Sequence, residues 1–186
     1  MVSLNCHIFS IKLPCLGGWM QIADYSNNDN SSTISYGDLD HLHQVQSKSF
    51  ALHNRYLPDI HESYPITEIR FYCYKPSIGT TISVVTNKNE YGFRMRDLSL
   101  GLKTKTRGYV TVDPHKAIRT LPDDTSNFPQ TINSIGGPPN QQQLYYDSVY
   151  KYDDKYITLG WAGRFECFDF HETNSDRKGH WKYYVR

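Results

Sequence analysis

The sequence predicts an all-β domain, mostly antiparallel, a β-sandwich of jelly-roll-like architecture with one short helix. Three observations predict it. Apolar and polar residues alternate over short segments bounded by Gly, Pro, Asn and Asp, as strands buried on one face require. Tyr alone counts 15 in 186 residues, and a phenol packs its ring on a pleated surface while its hydroxyl stays wet. About eight such segments occur with no internal repeat, a number that two facing sheets accommodate.

The elements follow in order. Residues 1–17 carry apolar residues interrupted by Asn5, His7 and Lys12, which reads as a leader or disordered segment, with a single domain over 18–186. Trp19 to Ala23 is a first strand and Asp24 to Thr33 a polar loop. Between Gly37 and Tyr56, Leu39, Leu42, Val45, Phe50 and Leu52 fall partly at helical spacing, with Ser35 or Asp38 as cap and Pro58 and Pro65 as stops. Strands are expected at Glu68–Tyr74, Thr80–Thr86, Tyr91–Arg96 and Gly108–Val112, as an antiparallel meander. Pro114 to Pro139 reads mostly as connection. Strands resume at Leu144–Tyr150, Tyr156–Gly160, Arg164–Phe170 and Trp181–Arg186, the last closing a sheet.

Composition narrows the function classes. With 38% hydrophobic and 21% charged residues the chain has the makings of a core, and its net charge of +1 supplies no global attraction to nucleic acid or an anionic membrane. No run approaches the roughly 20 apolar residues that cross a bilayer, so neither nucleic-acid binding nor membrane insertion is expected. The cysteines are Cys6, Cys15, Cys73 and Cys167. Cys73 and Cys167 each sit centrally in an expected strand, so a disulfide between them is reasonable, the alternative being two buried thiols. Such a bridge implies an oxidising compartment. Asn30-Ser31-Ser32 is a glycosylation sequon, which agrees with an extracellular location.

From about Glu68 to Arg186 the chain carries Arg70-Phe71-Tyr72-Cys73-Tyr74-Lys75, Ile78 to Thr86, Leu121-Pro122-Asp123-Asp124-Thr125-Ser126, Gly163-Arg164-Phe165-Glu166-Cys167 and Trp181 to Arg186. In these segments it resembles uncharacterised extracellular β-rich modules of invertebrate cell-surface and matrix proteins. The resemblance implies a β-rich extracellular module and no activity. In those modules an acidic pair follows the last cysteine and a further cysteine precedes the Asp-Asp segment. Here Asp169 is a single acid, and no cysteine lies between Cys73 and Cys167.

Several clusters have the chemistry for a site. Asp38-Leu39-Asp40-His41-Leu42-His43, with His53 and His61, offers an H-x-H pair that binds a transition metal if it lies on a strand. Calcium is the one cofactor otherwise allowed: Asp24, Asn27, Asn28, Asp29 and Asn30 crowd one loop, and Asp123, Asp124 and Ser126 another. Turn formation is the plainer use of such residues. Arg94, Arg96, Lys103, Lys105 and Arg107 alternate so that a hairpin would display them as an anion patch for sulfated sugar or phosphate, unless they only solvate an edge. Tyr145, Tyr146, Tyr152 and Trp161 are candidates for stacking on a sugar ring, although most aromatic residues of a small sheet protein serve its core. Glu166 and Asp169 flank Cys167 with His171 nearby, a carboxylate or thiol site in principle, but a strand alternates its faces and Cys167 reads as structural; no nucleophile elbow, H-E-x-x-H or phosphate-binding loop occurs. The expectation is a noncatalytic extracellular recognition or adhesion module whose partner is a glycan or an extracellular protein. A structural matrix component and a jelly-roll metal-dependent hydrolase are the alternatives.

Overall fold

Strands buried on one face must pair their backbone N–H and C=O groups, and among the described residues most strands do so in one nine-stranded sheet. The computed structural model describes residues 4–8, 11–16, 18–28, 36–44, 49–100, 102, 110–126, 135–137, 150–152, 155–159, 165–170 and 177–186. Strands β1 (Leu4–Ile8) and β2 (Ile11–Leu16) form an antiparallel hairpin, and β3 (Trp19–Asn27) follows a turn at Gly18, whose φ of 78° suits glycine. Sheet pairing thus occupies part of the segment expected to be leader or disordered.

Next come β4 (Tyr36–Gly37), a 3-10 helix (Leu39–Gln44), β5 (Phe50–Leu52), a 3-10 turn (Asn54–Tyr56) and α1 (Leu57–Ser63). Where one helix is expected between Gly37 and Tyr56, the structure has two 3-10 segments and the short strand β5, and the α-helix follows only after Tyr56. Pro58 opens α1 instead of ending a helix, because a proline in the first turn removes only an N–H that has no intrahelical acceptor.

Strands β6 (Ile69–Lys75) and β7 (Thr80–Thr86) pair antiparallel through a turn with Gly79 at φ 62°. The expected strand Tyr91–Arg96 is instead α2 (Glu90–Ser99). Tyr91, Phe93 and Met95 do alternate with smaller or charged residues, but Tyr91, Met95 and Ser99 also recur every four residues. The cap decides between the two periods, since Asn89 Oδ1 accepts the Gly92 N–H at 2.9 Å and starts a helix. Then follow β8 (Val110–Val112), α3 (Pro114–Ala117), β9 (Ile118–Thr120), β10 (Ile135–Gly137), β11 (Tyr150–Tyr152), β12 (Lys155–Leu159), β13 (Phe165–Phe170) and β14 (Gly179–Val185).

The large sheet runs β1-β2-β3-β14-β6-β7-β9, with β5 pairing β3 and β4 joining β5 in parallel. Strand β14 lies in the interior between β3 and β6, so the last strand, expected to close a sheet, joins the two halves of this one. Strands β8 and β10 form a separate pair, and β11, β12 and β13 a three-stranded sheet. The protein is mostly β with few helices.

Both β6 and β14 alternate strictly between buried and half-buried residues. Their buried side chains form one dry face: Ile69, Phe71 and Cys73 beside Trp181, Tyr183 and Val185, extended by Ile82 and Val84 of β7. The Phe71 and Tyr183 rings meet edge-on at 5.3 Å. Leu57 and Ile60 of α1 and Met95 of α2 belong to the same core. A Cys73–Cys167 disulfide, Cα–Cα 5.8 Å, ties this face of β6 to β13.

Candidate functional site

Alternation that buries one face of β6 and β14 lifts the intervening residues onto the other. Arg70, Tyr72 and Tyr74 of β6 and His180, Lys182 and Tyr184 of β14 are all half-buried there. Pairing sets them in rows across the sheet. Ser26, His180, Tyr74 and Thr81 are neighbours in one row. Asp24, Lys182, Tyr72 and Ser83 make the next, and Gln21, Tyr184, Arg70, Val85 and Arg119 the third. Gln21, Ser83 and Val85 are buried, so aromatic rings and charges are interleaved at the surface chiefly along the β6–β14 strip of these rows.

The charges are held in place. Asp24 Oδ1 lies 2.7 Å from His180 Nε2, its Oδ2 lies 3.6 Å from Lys182 Nζ, and Gln21 Nε2 donates to it at 2.9 Å. Burial works against the Asp24 charge, but these partners outweigh it and hold the carboxyl below its usual value. Arg70 Nη2 donates to Asp123 Oδ2 at 3.1 Å and to Ser83 Oγ at 3.2 Å, and its guanidinium lies 5.4 Å from the centre of the Tyr184 ring. Tyr72 and His180 rings stand edge-on at 6.3 Å. Burial raises the Tyr72 and Tyr184 phenols above their usual value, so both stay neutral at physiological pH.

One end of this face is organised by Glu68, whose side chain is 0% exposed. Arg119 Nη2 donates to its Oε1 at 2.7 Å, Arg186 Nε donates to its Oε2 at 2.8 Å, and Lys88 Nζ lies 3.3 Å from Oε2. Burial opposes the charge, yet these donors dominate and the Glu68 carboxyl sits below its usual value. The Arg186 guanidinium lies 4.4 Å from the Trp19 ring centre. Backbone bonds anchor the corner, the Arg186 carbonyl accepting from Thr67 N–H at 2.6 Å and Glu68 N–H at 2.9 Å.

The residues singled out in the sequence fare unevenly. Arg94 and Arg96 do not share a hairpin face, because they lie on α2. Arg94 pairs with Glu90 one turn back, while Arg96 pairs with Asp97 and donates to the Ile66 carbonyl at 3.1 Å. Lys103, Lys105 and Arg107 lie outside the described residues. Asp24 belongs to β3 and not to the loop after it, and is committed to His180 and Lys182. Asp123 is paired with Arg70. Asp124 accepts the Ser83 N–H at 2.8 Å and the Ser126 N–H at 2.9 Å, a turn-forming use. The two calcium loops therefore lose these carboxylates to protein donors; Asn28 is an exposed bend, and Asp29 and Asn30 lie outside the described residues.

His41 and His43 fall in the 3-10 helix, so the strand that an H-x-H metal pair needs is not present there. Among the described residues no group of three or more His, Cys, Asp or Glu is placed to hold a metal ion. Tyr145, Tyr146 and Trp161 lie outside the described residues, and Tyr152 ends β11. No described helix is long and apolar enough to cross a membrane.

Sequence reasoning missed the open face itself. Its signal was the alternation in Ile69–Lys75 and Gly179–Val185, where every second residue is Arg, Tyr, His or Lys. Comparison with protein-family models, curated proteins and solved structures finds no match to the chain.

Proposed function

We propose that this protein is a noncatalytic extracellular recognition module that binds glycan on the open face of its large sheet. The observation that carries the reading is the interleaving of half-buried Tyr72, Tyr74 and Tyr184 with Arg70, Lys182 and His180. Sugar rings offer C–H faces that stack on aromatic rings, and their hydroxyls take hydrogen bonds from charged side chains beside those rings. Ion pairs and cation–π contacts already fix these side chains, which lowers the entropy cost of engaging a ligand. The Cys73–Cys167 disulfide supports the extracellular setting. It also supports a sandwich, with β11–β13 as a second layer across the dry face.

A glycan array probed with the wild-type protein and with Tyr184→Ala tests the reading. Tyr184 is only half-buried, so its truncation spares the core. A carbohydrate hit that weakens tenfold or more in Tyr184→Ala supports it. No hit, together with concentration-dependent assembly in the absence of ligand, would turn the assignment to a structural matrix component.

A further inference from the structure

We infer that the Glu68 corner is an oxyanion subsite of the open face, built to take a sulfate ester on the glycan. The inference rests on the proposed function and specifies its ligand chemistry. One carboxylate meets three cations here, Lys88, Arg119 and Arg186, so the corner keeps a positive surplus after every ion pair to Glu68 is counted.

The cations differ in kind from the carboxylate they surround. Glu68 is inaccessible, whereas the side chains of Lys88, Arg119 and Arg186 are 59%, 44% and 34% exposed. An incoming anion therefore meets the cations and not the carboxylate. Glu68 holds the two guanidinium groups by their Nη2 and Nε atoms, and Arg119 is fixed further by donating from Nη1 to the Thr86 carbonyl at 3.0 Å and to Asn87 Oδ1 at 3.2 Å. Among the described residues Arg186 Nη1 makes no hydrogen bond to protein. A planar guanidinium with a donor to spare, beside a second guanidinium and an exposed ammonium, matches the spread of oxygens on a tetrahedral oxyanion.

What makes this a glycan subsite and not a bare anion site is its surroundings. Trp19 lies under Arg186, and the Tyr184 ring lies two residues back along β14, so a stacking surface adjoins the cations. A sulfated sugar engages both at once.

The test compares a heparin-derived hexasaccharide with its chemically desulfated counterpart, by calorimetry, on wild type, Lys88→Ala, Arg119→Gln and Tyr184→Ala. Lys88 is the most exposed of the three cations, so its truncation leaves the fold intact even where Arg119→Gln does not. The wild type is expected to bind the sulfated form at least tenfold tighter, and Lys88→Ala to lose at least threefold of that margin while binding the desulfated form unchanged. Tyr184→Ala is expected to weaken both forms. Equal binding of the two forms, with Tyr184→Ala still weakening each, would overturn the subsite and leave the glycan face standing. Failure of both forms to bind would overturn both the subsite and the glycan face. Inorganic sulfate binding as tightly as the hexasaccharide would overturn the sugar requirement.

Discussion

Glu68 illustrates what one buried charge does at the residue scale. Its carboxylate is closed off from water and satisfied by Arg119, Arg186 and Lys88, so Glu68→Gln removes the counter-charge from all three. The expected loss is about 2 kcal/mol, within the range for leaving a charged hydrogen-bond network short of one partner. Urea unfolding at neutral pH measures it. The same group links stability to pH. The folded Glu68 and Asp24 carboxyls both lie below their usual values, so between the folded and usual values the unfolded chain binds more protons. Their stabilising contribution is then complete above the usual carboxylate range and lost as pH falls through it toward the folded values. The midpoint denaturant concentration is expected to drop on acidification below about pH 4.5, with a shallower drop in Glu68→Gln; an acid limb of unchanged slope would remove Glu68 from the account.

At the scale of elements, α2 shows how a local contact overrules a pattern. The Tyr91–Arg96 segment satisfies strand alternation, and only the Asn89 cap and the packing of Gly92 settle it as helix. A Cβ on Gly92 would lie 1.9 Å from the Asn87 carbonyl oxygen, so the backbone approaches there as only glycine permits. Gly92→Ala is expected to cost about 2 kcal/mol, at the scale of other overpacked sites, and Asn89→Ala about 1 kcal/mol for the lost cap. Thermal melts of the two variants check the order. Strands β6 and β14 are legible because strict alternation leaves little choice, and β7 because a run rich in β-branched residues lies between bounding turns. Neither Pro58 in α1 nor the interior position of β14 is, since both depend on what the rest of the chain packs against them.

The candidate face is a property of the whole molecule. Asp24 meets His180 across 156 positions of sequence, and Glu68 meets Arg186 across 118. No local pattern brings these residues together; the insertion of β14 between β3 and β6 does. The sequence could show that Arg70, Tyr72 and Tyr74 share a side of one strand and His180, Lys182 and Tyr184 a side of another. It could not show that the two sides are the same face. A cationic patch read along one stretch of chain, Arg94 to Arg107, cannot include Lys88, Arg119 and Arg186, which come to Glu68 from separate parts of the sequence.

Cross-linking acts at the same scale. The Cys73–Cys167 bridge closes a sequence separation of 94 residues between two sheets, worth roughly 4 to 5 kcal/mol on the chain-entropy account. Reduction is expected to lower the melting temperature by about 10–20 °C, read by calorimetry with and without reductant.

The central claim, that the open face of the large sheet is the ligand surface, is tested most directly by following backbone amide shifts of the labelled protein during titration with the sulfated hexasaccharide. The account predicts perturbations concentrated in β3, β6 and β14, strongest at Glu68, Arg70, Tyr184 and Arg186. Perturbations that spare these strands and fall elsewhere would contradict it.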